Sequence, residues 1–114
     1  MAAPWKLTVR AGSRVEHERH PTLDDALHAA RAHVNALSPG ARRDTARAFV
    51  REVAPVDQVP ARLELRGPKR ARGGVDLRGD GSVVAWTGRL SRRLVDVAAG
   101  EDALTALARA LTSG

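Results

Sequence analysis

Val59-Pro60-Ala61-Arg62-Leu63-Glu64-Leu65-Arg66 decides the fold class. Ala61, Leu63 and Leu65 alternate with Arg62, Glu64 and Arg66, the two-residue period of a half-buried strand. Pro60 cannot donate to a ladder and belongs at the start of that strand or on an edge. Next, Gly67-Pro68-Lys69-Arg70-Ala71-Arg72-Gly73-Gly74 reads as a flexible basic loop. Gly74 to Arg78 predicts a second strand with Val75 and Leu77 inward. Gly79-Asp80-Gly81-Ser82 reads as a type I′ hairpin turn, because Asp-Gly tolerates positive φ. Val83 to Leu90 predicts the returning strand, with Val84, Trp86 and Leu90 on one face. Arg92 to Val97 offers one strand more.

Towards the N-terminus, Trp5-Lys6-Leu7-Thr8-Val9-Arg10 alternates in the same way, and Ala11-Gly12-Ser13 is a turn. Arg14 to His20 returns with charges on both faces, which suits an edge strand. Pro21-Thr22-Leu23-Asp24-Asp25 opens a helix. Thr22 is placed to accept from the Asp25 N–H, and the acids favour the positive end of the dipole. Leu23, Leu27, Ala30, Val34 and Leu37 form its apolar stripe, and Ser38-Pro39-Gly40 predicts its end. In residues 41 to 58, Ala46, Phe49, Val50 and Val53 fit a helical face, while Arg47, Phe49, Arg51 and Val53 alternate as a strand would. A short helix is the reading preferred here. Gly100-Glu101-Asp102 begins a last helix with Leu104, Leu107, Ala108 and Leu111 on its stripe.

The expectation is one α+β domain over 1–114, with a mainly antiparallel sheet of about five strands and two main helices on one face. Residues 1–37 read as ββα, 38–58 as a linker or short helix, and 59–114 as ββββα. The two hairpin–helix pieces are alike enough to read as a duplicated ββα unit or as chance similarity. Trp5 and Trp86 are expected in a core otherwise short of large side chains.

Composition sets limits. Of 114 residues 43% are hydrophobic, but 21 are Ala and none is Ile or Cys. Disulfides, thiol nucleophiles and Cys-ligated zinc are thereby excluded. The opening Met1-Ala2-Ala3-Pro4-Trp5-Lys6 has no apolar run, and no stretch approaches a membrane span. A cytoplasmic chain with no membrane contact is expected.

The net charge of +6 sits in one third of the chain. Residues 59 to 93 hold Arg62, Arg66, Lys69, Arg70, Arg72, Arg78, Arg89, Arg92 and Arg93 against Glu64, Asp76 and Asp80. Such asymmetry points to an acidic partner, most often nucleic acid. Bias from a GC-rich genome accounts for the preference for Arg over Lys, though not for the scarcity of acids in this segment.

Catalytic signatures are lacking. No Ser lies in a Gly-x-Ser-x-Gly elbow, and Gly79-Asp80-Gly81-Ser82 is no phosphate loop, since no helix follows it. Asp24/Asp25 and Glu101/Asp102 sit where helix starts want acids. His17 and His20 point to opposite faces of a strand, and His28 and His33 do not share a helix face. Solvated surface histidines, no metal, no cofactor and no catalytic residue are expected.

Two resemblances add to this reading. Trp5-Lys6-Leu7-Thr8-Val9-Arg10, Gly12, Arg14 to Arg19 and Thr22 to Ala26 resemble the AP2-like arm-binding domain of phage-type integrases. That family lays its sheet against DNA, which would make exposed strand residues contacts. Glu16 and Glu18 depart from its basic second strand, and its third strand is missing at the expected place. Separately, Val59 to Leu65, Gly74 to Ser82 and Gly100 to Leu104 look like small conserved proteins of GC-rich bacteria. That likeness implies a single intact domain and no particular chemistry.

The leading expectation is therefore a small, non-enzymatic nucleic-acid-binding module, contacting DNA or RNA phosphates with weak sequence preference. Arg62, Arg66, Lys69, Arg70, Arg72, Arg89, Arg92 and Arg93 are its candidate contacts. The alternative is a protein-interaction or homodimerisation module.

Overall fold

In the computed structural model, which describes residues 4–47, 59–88 and 91–112, six antiparallel strands form one sheet. The elements run β1 (Trp5–Ala11), β2 (Arg14–His20), α1 (Leu23–Arg47), β3 (Ala61–Arg66), β4 (Arg72–Leu77), β5 (Val83–Thr87), β6 (Arg93–Leu94) and α2 (Ala103–Thr112). The sheet order is β2-β1-β3-β4-β5-β6, so β3 pairs with β1 and the edges are β2 and β6. The α+β class and two main helices are as expected. The sixth strand is the short β6.

Alternation makes the core. Leu7 and Val9 of β1 pair with Leu65 and Leu63 of β3, the Leu63 row continues into Val75 of β4 and Ala85 of β5, and Trp5 shares the face of Leu7 and Val9. These side chains are buried under Ala26, Ala30 and Val34 of α1 and Ala103, Leu104 and Leu107 of α2. Ala61 and Leu77 extend the same face beneath Leu37. Both caps form: Thr22 Oγ1 accepts from Asp25 N at 3.1 Å, and Asp102 Oδ1 accepts from Thr105 N at 2.8 Å. Arg31 and Asp102 pair side chain to side chain and tie α1 to α2. No helix among the described residues is long and apolar enough to cross a membrane.

Three local expectations are corrected. First, α1 runs through Ser38-Pro39-Gly40 to Arg47. An interior proline loses one backbone bond and crowds the preceding turn, at roughly 3 kcal/mol. The Ala- and Arg-rich residues beyond favour helix and carry it on, and Ser38 Oγ donates to the Val34 carbonyl at 2.7 Å, a back-bond of the kind that bends a helix. The short helix read in 41–58 is thus a continuation of α1 as far as residue 47; residues 48–58 lie outside the described residues.

Second, β4 begins at Arg72, so Arg72 and Gly73 are strand and not loop, and Gly74, the expected first residue of the strand, lies inside it. A Cβ on Gly73 would stand 2.9 Å from Leu107 Cδ1. The two glycines mark close approach, which a strand accommodates as readily as a loop.

Third, the β4–β5 turn is not type I′. Gly81 has φ +89°, while Asp80 keeps negative φ. Gly81 N donates to Arg78 O at 2.9 Å and Arg78 N to Ser82 O at 2.8 Å. This is the three-residue form, a tight turn followed by a left-handed glycine, locked by Asp80 Oδ1 on Ser82 N and Oγ.

The duplication reading also resolves. β1 and β4 both run antiparallel to β3, hence parallel to each other. Their hairpin partners β2 and β5 spread in opposite directions, while both helices cover one face. The two hairpin–helix units differ in hand and do not superpose as copies.

Candidate nucleic-acid interface

The face opposite the helices is built from the alternate residues of every strand, and register arranges them in rows. The first row is Arg19, Lys6, Arg66 and Arg72, each directly opposite the next across β2, β1, β3 and β4. With neighbouring strands about 4.8 Å apart, four cations span about 14 Å. Like charges directly opposite one another are destabilising in a sheet.

The second row is His17, Thr8, Glu64, Gly74, Trp86 and Leu94. Glu64 accepts from Arg66 Nε at 2.8 Å and lies 3.4 Å from an Arg72 terminal nitrogen. Burial pushes the Glu64 carboxyl up, but the Arg66 hydrogen bond and both guanidinium charges outweigh it and hold it below its ordinary value. Thr8 Oγ1 and His17 Nδ1 are 3.1 Å apart.

The third row is Val15, Arg10, Arg62, Asp76 and Val84. Arg62 grips Asp76 with two bonds of 2.7 and 3.1 Å, the paired geometry a guanidinium favours. Across the three rows Lys6, Arg10, Arg19, Arg62, Arg66 and Arg72 face only Glu64 and Asp76.

Trp86 belongs to this outer face, not to the core under the helices. Alternation does put Val84 and Trp86 together, but Ala85 is the residue that points inward. The indole is nevertheless 1% exposed. It lies against bare Gly74, donates from Nε1 to Asp76 Oδ1 at 3.1 Å, and is covered by Arg92 and Arg72 guanidinium groups 4.6 and 5.9 Å from the ring centre. Trp5 sits in the helix-side core as expected, packed against Gly67.

At the end of the four-cation row the chain makes a tight 3-10 turn over Pro68–Arg70. Gly67 N donates to Ala71 O at 2.9 Å and Ala71 N to Pro68 O at 3.1 Å. Lys69 and Arg70 both hold left-handed backbone, φ +57° and +61°. Non-glycine residues pay roughly 1–2 kcal/mol each for that conformation. An open cavity of about 320 Å³ here is lined by Arg66, Gly67, Arg70, Ala71 and Arg72.

The eight candidate contacts are thus divided. Arg62, Arg66 and Arg72 lie on the outer face, Lys69 and Arg70 occupy the turn beside it, and Arg92 lies over Trp86. Arg93 pairs with Thr87 and takes the helix-bearing side of the edge. Arg89 lies outside the described residues. Sequence reasoning missed Lys6, Arg10 and Arg19. The signal was present in the alternation of the first strand, but not the pairing of β1 with β3 that carries those residues into the basic segment.

His17 and His28 are exposed as expected, whereas His20 and His33 differ. His33 Nε2 and His20 Nε2 both donate to Glu18, at 2.6 and 2.9 Å, half-buried between β2 and α1 rather than solvated. The His33 hydrogen bond, then that of His20, holds the Glu18 carboxyl below its ordinary value. No protein-family model, curated protein or solved structure matches this chain.

Proposed function

We propose that the open sheet face binds nucleic acid through the phosphate backbone, without catalysis and with weak sequence preference. The observation that carries this reading is the row Arg19–Lys6–Arg66–Arg72. Four directly opposed cations oppose folding by mutual repulsion, and an anion laid across them removes that repulsion. The cavity between Arg66, Arg70 and Arg72 supplies guanidinium groups for a phosphate at the row's end. Strain at Lys69 and Arg70 falls at the same end, where backbone outliers commonly serve ligands.

Weak specificity follows from the side chains. Both tryptophans are buried, so neither offers a ring on which a base can stack. The reading accords with the resemblance of residues 1–37 to domains that lay a sheet on DNA. Edge-to-edge self-association is less favoured, because β2 is charged on both faces and β6 has two residues.

The test is fluorescence anisotropy with labelled duplex DNA and a structured RNA at about 50 and 200 mM salt, across which phosphate-driven affinity falls steeply. Lys6→Glu and Arg93→Glu change net charge equally on opposite faces. Lys6→Glu is expected to weaken binding far more. Equal effects would show that net charge acts without a defined face, and no binding at low salt would overturn the reading.

A further inference from the structure

We propose a second site, a zinc-type divalent cation site formed by Glu16, Glu18 and His33, joining the edge strand β2 to α1. Glu16, Glu18 and His20 are spaced by two and so share one face of β2, the side that α1 covers. His33 comes down onto them from α1. One ligand atom from each of Glu16, Glu18 and His33 lies within 4.8 Å of the others. His20 Nε2, 2.9 Å from Glu18 Oε1, lies outside that group and holds Glu18 from the other side.

The donor set selects the ion. One imidazole and two carboxylates, with solvent as fourth ligand, suit zinc or a neighbouring first-row divalent ion over magnesium or calcium, which want oxygen alone. Bonds of about 2.0–2.2 Å at tetrahedral angles put ligand atoms about 3.3 Å apart. On binding, His33 Nε2 exchanges its hydrogen bond to Glu18 for the metal, with the ring proton carried on Nδ1.

Hydrogen bonding of His20 and His33 to Glu18 explains Glu18 and both histidines without a metal. It does not explain Glu16, an exposed carboxylate brought to the same point. Glu16 is therefore the discriminating residue. This site is independent of the phosphate-binding reading, since its residues lie on the helix-bearing side of the sheet.

The experiment uses the full chain without a purification tag, stripped with EDTA and dialysed. Zinc is titrated calorimetrically and in competition with a chromophoric chelator. The expected result is one zinc per chain and a melting temperature raised by about 10 °C at a hundredfold excess over Kd. Glu16→Gln and His33→Gln should each weaken binding by more than the about tenfold that losing even an outer partner of a metal costs. Glu16→Gln keeps the histidine–Glu18 bonds and, being an exposed substitution, keeps the fold, which circular dichroism checks. No zinc uptake at 100-fold excess over protein, or uptake unchanged in Glu16→Gln, would overturn the proposal.

Discussion

Gly74 and Trp86 face each other across β4 and β5, and a Cβ on Gly74 would stand 2.7 Å from Trp86 Cζ2 and 2.2 Å from the Leu63 carbonyl oxygen. The missing side chain lets the indole lie down on the sheet, reach Asp76, and present its upper surface to Arg92. A tryptophan on the open face is thereby kept dry by arginines, and the charged surface and the buried ring are parts of one construction. Replacing Gly74 by Ala forces both the backbone contact with β3 and the ring to give way. Gly74→Ala should cost about 1–3 kcal/mol, the usual range for overpacking. Urea denaturation measures this, and red-shifted emission in a Trp5→Phe background reports the loosened Trp86. An unchanged midpoint would show that the ring does not depend on the glycine.

Glu64 sits between Arg66 and Arg72 and is the acid nearest the four-cation row. Glu64→Gln keeps an acceptor for Arg66 and removes one negative charge. Affinity for duplex DNA should rise, and the slope of log K against log salt should steepen by about 1. Anisotropy over a salt series reads both quantities. Weaker binding instead would mean that Glu64 serves mainly to hold the arginines in place.

Lys69 combines a charge at the interface with left-handed backbone, and the two pull in opposite directions. Lys69→Gly relieves roughly 1–2 kcal/mol of backbone strain, partly offset by glycine's larger unfolded-state entropy of about 0.5–1 kcal/mol. A net gain of about 0.5–1 kcal/mol in stability should accompany weaker DNA binding. Stability and affinity moving together would show that the turn is not held strained by its surroundings.

Much of the sheet was legible because alternation is a local property. Ala61, Leu63 and Leu65 announced their face without reference to anything else. The side chosen by the β5 residues was not legible in this way. Val84 and Trp86 share a face by period, but hydrophobicity suggests the core, and only the pairing of Trp86 with Gly74 places the ring outside. The basic surface was half visible for the same reason. Arg62, Arg66 and Arg72 lie in one basic run of sequence, whereas Lys6 and Arg19 join them through strand pairing across more than forty residues. The approach of His33 to Glu16 and Glu18 is likewise a matter of where α1 lands on β2, which no spacing rule along one element reveals.

Asp102 gives the fold a dependence on acid. Its carboxylate bonds Arg31 of α1 and caps α2 through Thr105 N. The Arg31 hydrogen bond, then the Thr105 N–H, holds its carboxyl far below the ordinary value of 3.8. A carboxyl depressed on folding contributes stability in full above its unfolded value and loses it as pH falls through the folded value. Both side chains are about half exposed, so screening limits the pair to about 0.5–1 kcal/mol. Asn is also a good N-cap, so Asp102→Asn removes the charge while keeping the cap. Wild type should exceed Asp102→Asn in stability at pH 7 and pH 5, and the gap should narrow as pH falls below 3.8 towards the depressed folded value. Urea midpoints across that range measure it, and Arg31→Ala should shrink the pH dependence of the gap to the part that the Thr105 N–H supplies. A gap as large in strong acid as at neutrality would assign the effect to capping geometry and not to the charge that joins the two helices.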